Sequence, residues 1–205
     1  MTLWNTLFYA QLRDYRIRQN LPWFTAAFDL NLVVLRSGTV GRWDDLTCWA
    51  FTDDAGRKCV ELFVATGDAW EGEWVHPTHP NGCAYVLDQH VAGGYRIGKH
   101  HGRSALVQVK PFAFTRWPKG EGRPPTVAEL ETLPVWTDIR GFNLHDRVTG
   151  RTPERPATDD SESCTVHLFK HQHFAALELV AQQGARGLGD TVSVTFGKRA
   201  DLAGL

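Results

Sequence analysis

Leu30-Asn31-Leu32-Val33-Val34-Leu35-Arg36 is apolar and β-branched, and it stops at Ser37-Gly38. A short apolar run bounded by a turn signal reads as a strand. Outward from it, the same alphabet recurs. Cys48-Trp49-Ala50-Phe51 follows a polar turn, and Asp53-Asp54-Ala55-Gly56 has the residues of a hairpin turn. Val60, Leu62 and Val64 alternate with Glu61 and Phe63, as in a half-buried strand. Residues 84–87 and 105–110 are further short strands, with 112–117 continuing the second after Pro111. Val192, Val194 and Phe196 alternate in a last strand.

Helical signals are fewer. Near the start, Leu3, Leu7 and Ala10 step at four and three, with Phe8 and Leu12 widening the expected core-facing side. Late in the chain, residues 172–183 carry Phe174, Leu177 and Ala181 on one helical face. Residues 118–134 are rich in Pro and Gly and read as a long loop with one helical turn at 127–130. Residues 147–160 are polar and read as loop. Strands do not alternate regularly with helices, so the expectation is a mainly β protein with a few helices (α+β), a sandwich or a barrel.

The 205 residues are enough for one core, so one domain is expected: a helical segment at 1–28, a core at 29–197 and a tail at 198–205. With 42% hydrophobic and 22% charged residues the chain is neither disordered nor membrane-spanning in composition. A net charge of -1 offers no basic field for nucleic acid. Asn5, Gln11, Arg13 and Asp14 interrupt any signal-peptide core, so cytoplasmic synthesis is expected. The four Cys, at 48, 59, 83 and 164, form no CxxC pair and no disulfide framework.

Several groups invite chemistry. His76, His79 and Cys83 are admissible zinc ligands, but their spacing matches no closed site, and Pro77 and Pro80 suggest a surface turn. His100-His101 and His171-x-His173 have the same standing, and no metal or cofactor is expected. Gly120-Glu121-Gly122 and Gly187-Leu188-Gly189 lack the strand–turn–helix setting of a phosphate loop. His145 and Cys164 are the better pair. A thiol needs a nearby base to become a thiolate, and His is the usual one. Ser161 and Ser163 make the approach to Cys164 small and polar. On a strand at 141–145, Phe142 and Leu144 share one face while Asn143 and His145 share the other. Spacing alone equally suits a buried structural thiol and a satisfied strand-end histidine. Papain-like peptidases place Cys before His, the reverse of the order here.

The residues G-F-N-L-H at 141–145 and S-x-S-C-T-V at 161–166 resemble the H…S-x-G-C signature of L,D-transpeptidase (YkuD-type) catalytic domains, above all phage-borne and stand-alone members. Residues 31–36, 43–45, 64–68, 95–100 and 105–108 resemble further family segments in the same order, so the likeness spans about residues 7 to 197. It implies a β-sandwich with a short N-terminal helix and one late helix. It implies a cysteine-dependent enzyme acting on peptidoglycan stem peptides through a thioester on Cys164, by transpeptidation or hydrolysis. His145 would be the general base, and Asp146, by side chain or backbone, the third partner. Ser163 and Cys164 would supply oxyanion N–H groups, with Ser161 bracing the loop. Asn143, Lys99, His100 and Tyr95 would contact substrate. The partner implied is a peptidoglycan stem peptide, reached through phage lysis, a virion or a secretion machine. Two residues depart from the pattern. Ser163 stands where the family has Gly, which would be strained if φ is positive there. Glu162 beside the thiol would raise its pKa. The other class is an idle peptidoglycan- or protein-binding module, with Trp70, Trp74, Trp117 and Trp136 as contact residues.

Overall fold

The run at 31–36 is buried at every position because both of its faces are covered. Leu32 and Val34 enter the main core, while Val33 and Leu35 lie in a second cluster under the N-terminal helix. A strand covered on both sides reads as a continuous apolar run, not an alternating one. A computed structural model of the chain describes residues 3–147 and 163–202. In chain order the elements are α1 (Leu3–Arg18), β1 (Asn31–Arg36), β2 (Asp45–Thr52), β3 (Lys58–Thr66), α2 (Glu71–Val75), β4 (Cys83–Val86), β5 (Gln89–His100) and β6 (Arg103–Gln108). They continue with β7 (Phe112–Trp117), α3 (Val127–Glu131), β8 (Trp136–Asp138), β9 (Leu144–Asp146), β10 (Thr165–His167), α4 (Lys170–Ala185) and β11 (Thr191–Lys198).

The fold is mixed α+β and mostly strand. The sandwich implied by the family resemblance gives way to a closed barrel in the order β1-β11-β5-β6-β9-β10-β3-β2. β4, β7 and β8 form a separate three-stranded sheet. β7 therefore does not continue β6: Pro111 has no N–H to donate, and the chain leaves the barrel there. The main core gathers the inward residues of the barrel, including Leu32, Trp49, Phe63, Leu106, Leu144 and Phe196, with Ala176, Leu177 and Val180 of α4.

Both long helices bury only part of the face the periodicity suggested. In α1, Leu7 is 58% exposed, while Tyr9, Leu12 and Tyr15 are buried against the barrel. The tyrosines are admitted because a polar tip can find a partner: Trp23 Nε1 donates to Tyr9 Oη at 3.0 Å. In α4, Phe174 and Ala181 face out, and His173, Ala176, Leu177, Val180 and Gln183 face in. Gln183 is satisfied by Leu30 N–H and the Thr191 carbonyl, which removes the cost of burying it. α3 sits where one helical turn was expected, set by a capping box between Thr126 and Glu129. Within the segment expected as a tail, Leu202 packs in the cluster under α1. The loop expected at 147–160 lies outside the described residues from 148 onward. No helix among the described residues is long and apolar enough to cross a membrane.

Candidate active site

Three connections bring the site together. β5 and β6 are joined by His101-Gly102, both at positive φ (48° and 79°), the twist of a type I′ hairpin. That turn leaves His100 at the end of β5. β9 and β10 run parallel, pairing Leu144 with Thr165 and His145 with Val166. This lays the segment ending in Cys164 alongside residues 141–143. The third connection is Gln108. Its Oε1 accepts N–H groups from Arg140, Gly141 and Phe142 at 2.9–3.0 Å. Its Nε2 donates to the Lys110 and Asp138 carbonyls, at 2.8 and 3.0 Å. One side chain thus shapes the whole turn before β9, in which Gly141 takes φ of 78°.

The result is a cleft of about 1140 Å³. Cys164 and His145 line it, both nearly buried (8% and 3% exposed). The Cys164 thiol donates to the Gly141 carbonyl at 3.3 Å. His145, His100 and Cys164 each bring one donor atom to within 4.8 Å of the others. His145 Nδ1 lies 2.8 Å from the Asp146 carbonyl oxygen. A carbonyl only accepts, so Nδ1 carries the proton and Nε2 keeps a lone pair. That Nε2 is buried without a hydrogen-bond partner. Burial pushes His145 down to about 4, against the Asp146 bond, which raises it; His100, Arg103 and His173 push it further down. The imidazole is thus held neutral, as a base must be.

Asp146 acts through its main chain. Its carboxylate points elsewhere, to Arg103 at 3.3 Å. The Ser163 hydroxyl donates to the Ala84 carbonyl at 2.9 Å, tying the nucleophile segment to β4. Ser161 and Glu162 lie outside the described residues. Asn143 and His100 line the cleft and are joined, Asn143 Nδ2 to His100 Nδ1 at 2.9 Å.

Tyr95 and Lys99 do not line the cleft, although the buried Tyr95 phenol lies close enough to Cys164 to feel its charge. Tyr95 is fully buried in the main core against Phe112, and Lys99 is exposed with its Nζ on Ser104 Oγ. The reason is the period of a strand: residues 95 and 99 share one face and residue 100 takes the other. Of the four tryptophans, Trp74 and Trp117 are buried, Trp70 lines the cleft, and Trp136 is exposed on β8.

Sequence reasoning missed Gln108, Gly141 and the charge of the cleft. Among the described residues, Arg103, Arg116 and Arg140 line it with one carboxylate, Glu73, although Arg103 is paired with Asp146 and Arg140 with Asp138. Glu73 is itself buried and accepts from Thr78 N–H and Oγ1. His76, exposed in a loop as expected, and the part-buried His79 also line the cleft.

By composition, His100, His145 and Cys164 could hold a soft divalent ion. The hydrogen bonds oppose it. Gln108 N–H donates to Asn143 Oδ1 at 3.0 Å, so Asn143 turns its amide group toward His100 Nδ1. Nδ1 is then occupied as an acceptor, and Nε2 bears the proton. Neither nitrogen is left with a lone pair for a metal. No protein-family model, curated protein or solved structure matches the chain.

Proposed function

We infer that the chain is a cysteine acyl-transfer enzyme acting on peptidoglycan stem peptides, of the type its motifs resemble. The observation that carries this reading is the pairing of Cys164 with the unpartnered Nε2 of His145 on the wall of a large cleft. Nucleophile and base within reach of one another, with the base held by a third group, is the arrangement covalent catalysis requires. The separation is looser than a hydrogen bond, as is common before substrate binds.

The chemistry follows from the tautomer. His145 Nε2 takes the thiol proton as Sγ attacks the peptide carbonyl carbon. A tetrahedral oxyanion forms, for which the Ser163 and Cys164 N–H groups are the proposed donors. The C–N bond breaks, His145 returns the proton to the leaving amine, and a thioester remains on Cys164. An acceptor amine or water then attacks, losing its proton to His145, and the thiol is restored. The three arginines along the cleft suit the carboxylates of a stem peptide.

Intact-mass measurement of the protein after incubation with a carbapenem or a tetrapeptide muropeptide tests this. An adduct on wild type and none on Cys164→Ala is the expected result. Full turnover of muropeptides by Cys164→Ala would overturn it. Exposed Val135, Trp136 and Ile139 at β8 favour the second reading, a binding module on the same fold. Retention of Cys164→Ala on insoluble sacculi, with no adduct on wild type, would support that reading instead.

A further inference from the structure

We propose that His100 is a second catalytic histidine, a neutral donor whose Nε2–H stabilises the thiolate of Cys164 while His145 acts as the base. The proposal rests on the reading of Cys164 as nucleophile, but its test does not need the substrate. Two stacked imidazoles face the nucleophile, with ring centroids 4.7 Å apart and planes at 29°. They are held in opposite tautomers by different partners. His145 donates a hydrogen bond from Nδ1–H to the Asp146 carbonyl, which leaves Nε2 as an acceptor. His100 accepts a hydrogen bond at Nδ1 from Asn143 Nδ2, which leaves Nε2 as a donor.

The polarity of the second chain is fixed at its root. Gln108 N–H can only donate, so Asn143 Oδ1 must accept it, and Asn143 Nδ2 must point at the ring. Gln108 is anchored in turn by the five side-chain bonds described above. The donor is therefore oriented from main chain through Asn143 to the cleft. Its distance suits the role, since one His100 nitrogen lies within 4.8 Å of both Cys164 Sγ and the His145 nitrogen. A neutral imidazole held as a donor to a developing anion is a known device in enzymes. It also resolves why two histidines should crowd one thiol. A second base would compete with His145 for the same proton, whereas a donor stabilises what proton loss leaves behind.

The charged and titratable groups around this pair sit on β5, β6, β9 and α4, the last contributing His173. His145 is on β9, the buried phenol of Tyr95 is on β5, and His101 and Arg103 flank His100 at the β5–β6 turn. Arg103 is engaged with Asp146.

The full chain is the material for the test. The Cys164 thiol pKa is read from the pH dependence of its iodoacetamide alkylation, with Cys164→Ala subtracted for the other cysteines. His100→Ala is expected to raise that pKa by roughly one unit, which slows alkylation near neutrality about tenfold. His100→Gln keeps an N–H close to the position of Nε2 and is expected to restore most of the difference. Long-range ¹⁵N–¹H spectra of the histidine rings give the tautomers directly, with the proton on Nε2 of His100 and on Nδ1 of His145. An unchanged thiol pKa in a folded His100→Ala, or a proton found on His100 Nδ1, would overturn the proposal. Because alkylation needs no stem peptide, a failure here is distinct from a failure to turn over peptidoglycan.

Discussion

His145 Nδ1 is held 2.8 Å from the carbonyl oxygen of Asp146, the next residue in the chain. The group that orients the base is therefore main chain, while the Asp146 carboxylate lies on Arg103. Asp146→Ala should leave the tautomer of His145 intact. Carbapenem acylation and alkylation of Cys164 are expected within about threefold of wild type, with roughly 1 kcal/mol lost from stability through the half-exposed ion pair. Where an Asp carboxylate holds the base, its loss costs about 10⁴ in rate. A drop of that size in Asp146→Ala would contradict the main-chain assignment.

Gln108→Ala removes three acceptor and two donor contacts at once. The partners are backbone groups of the turn that carries Gly141 to the cleft. A loss of about 2–4 kcal/mol is expected in chemical denaturation. Alkylation of Cys164 should slow in the same variant under conditions where it is still folded, because the thiol's acceptor, the Gly141 carbonyl, is no longer held. Normal thiol reactivity in a folded Gln108→Ala would count against this role.

The inward face of α1 can be told from its outward face by two leucines. Leu12 is fully buried, whereas Leu7 is 58% exposed. Leu12→Ala is expected to cost about 2–4 kcal/mol, and Leu7→Ala less than about 0.5 kcal/mol. Equal losses in urea melts of the two variants would mean that α1 is rotated from the position described.

Stability should fall on acidification from pH 6.5 to 4. His145 and His90 are each pushed down to about 4, and His167 and His173 move in the same direction, with burial the first cause in all four. The unfolded chain takes up these protons below 6.5 and the folded chain does not, so stability drops with pH across that window. Burial raises Asp45 to about 6 and raises Asp68 as well, which works the other way. Both weaken the fold as pH rises above 3.8, Asp45 up to about 6, because the unfolded chain ionises first. Burial also lowers His100 and raises Asp29, so five histidines stand against three carboxylates and the expected net change is a loss. A Tm at pH 4.5 equal to or above that at pH 6.5, at matched ionic strength, would refute it.

Most strands are legible from the chain because their burial is local: an apolar run at 31–36 and alternation at 192–196 need no knowledge of neighbours. Barrel closure is not legible in this way, since it depends on β9 meeting β6 and β10 across a long separation. The His145–Cys164 pair is legible because thiol chemistry demands a base and the two motifs carry both. The tautomer of His100 is not, since it depends on Gln108 and Asn143, which are far from it in sequence. Tyr95 and Lys99 do not line the cleft with His100 because a motif groups neighbours that a strand then sends to opposite faces. Leu7 and Phe174 mislead because apolar spacing alone ignores the buried tyrosines, His173 and Gln183 that find hydrogen-bond partners.

The barrel wall is uneven in a way that bears on how the cleft works. Eight residue pairs join β2 to β3, but one pair joins β6 to β9, three join β9 to β10 and two join β10 to β3. The nucleophile and its base are thus mounted on the wall's loosest staves, and a rupture that spares the rest of the cylinder starts there. Parting those few rungs would separate His145 from Cys164 without melting the core, so the reactive pair is also the first thing the molecule disassembles under stress.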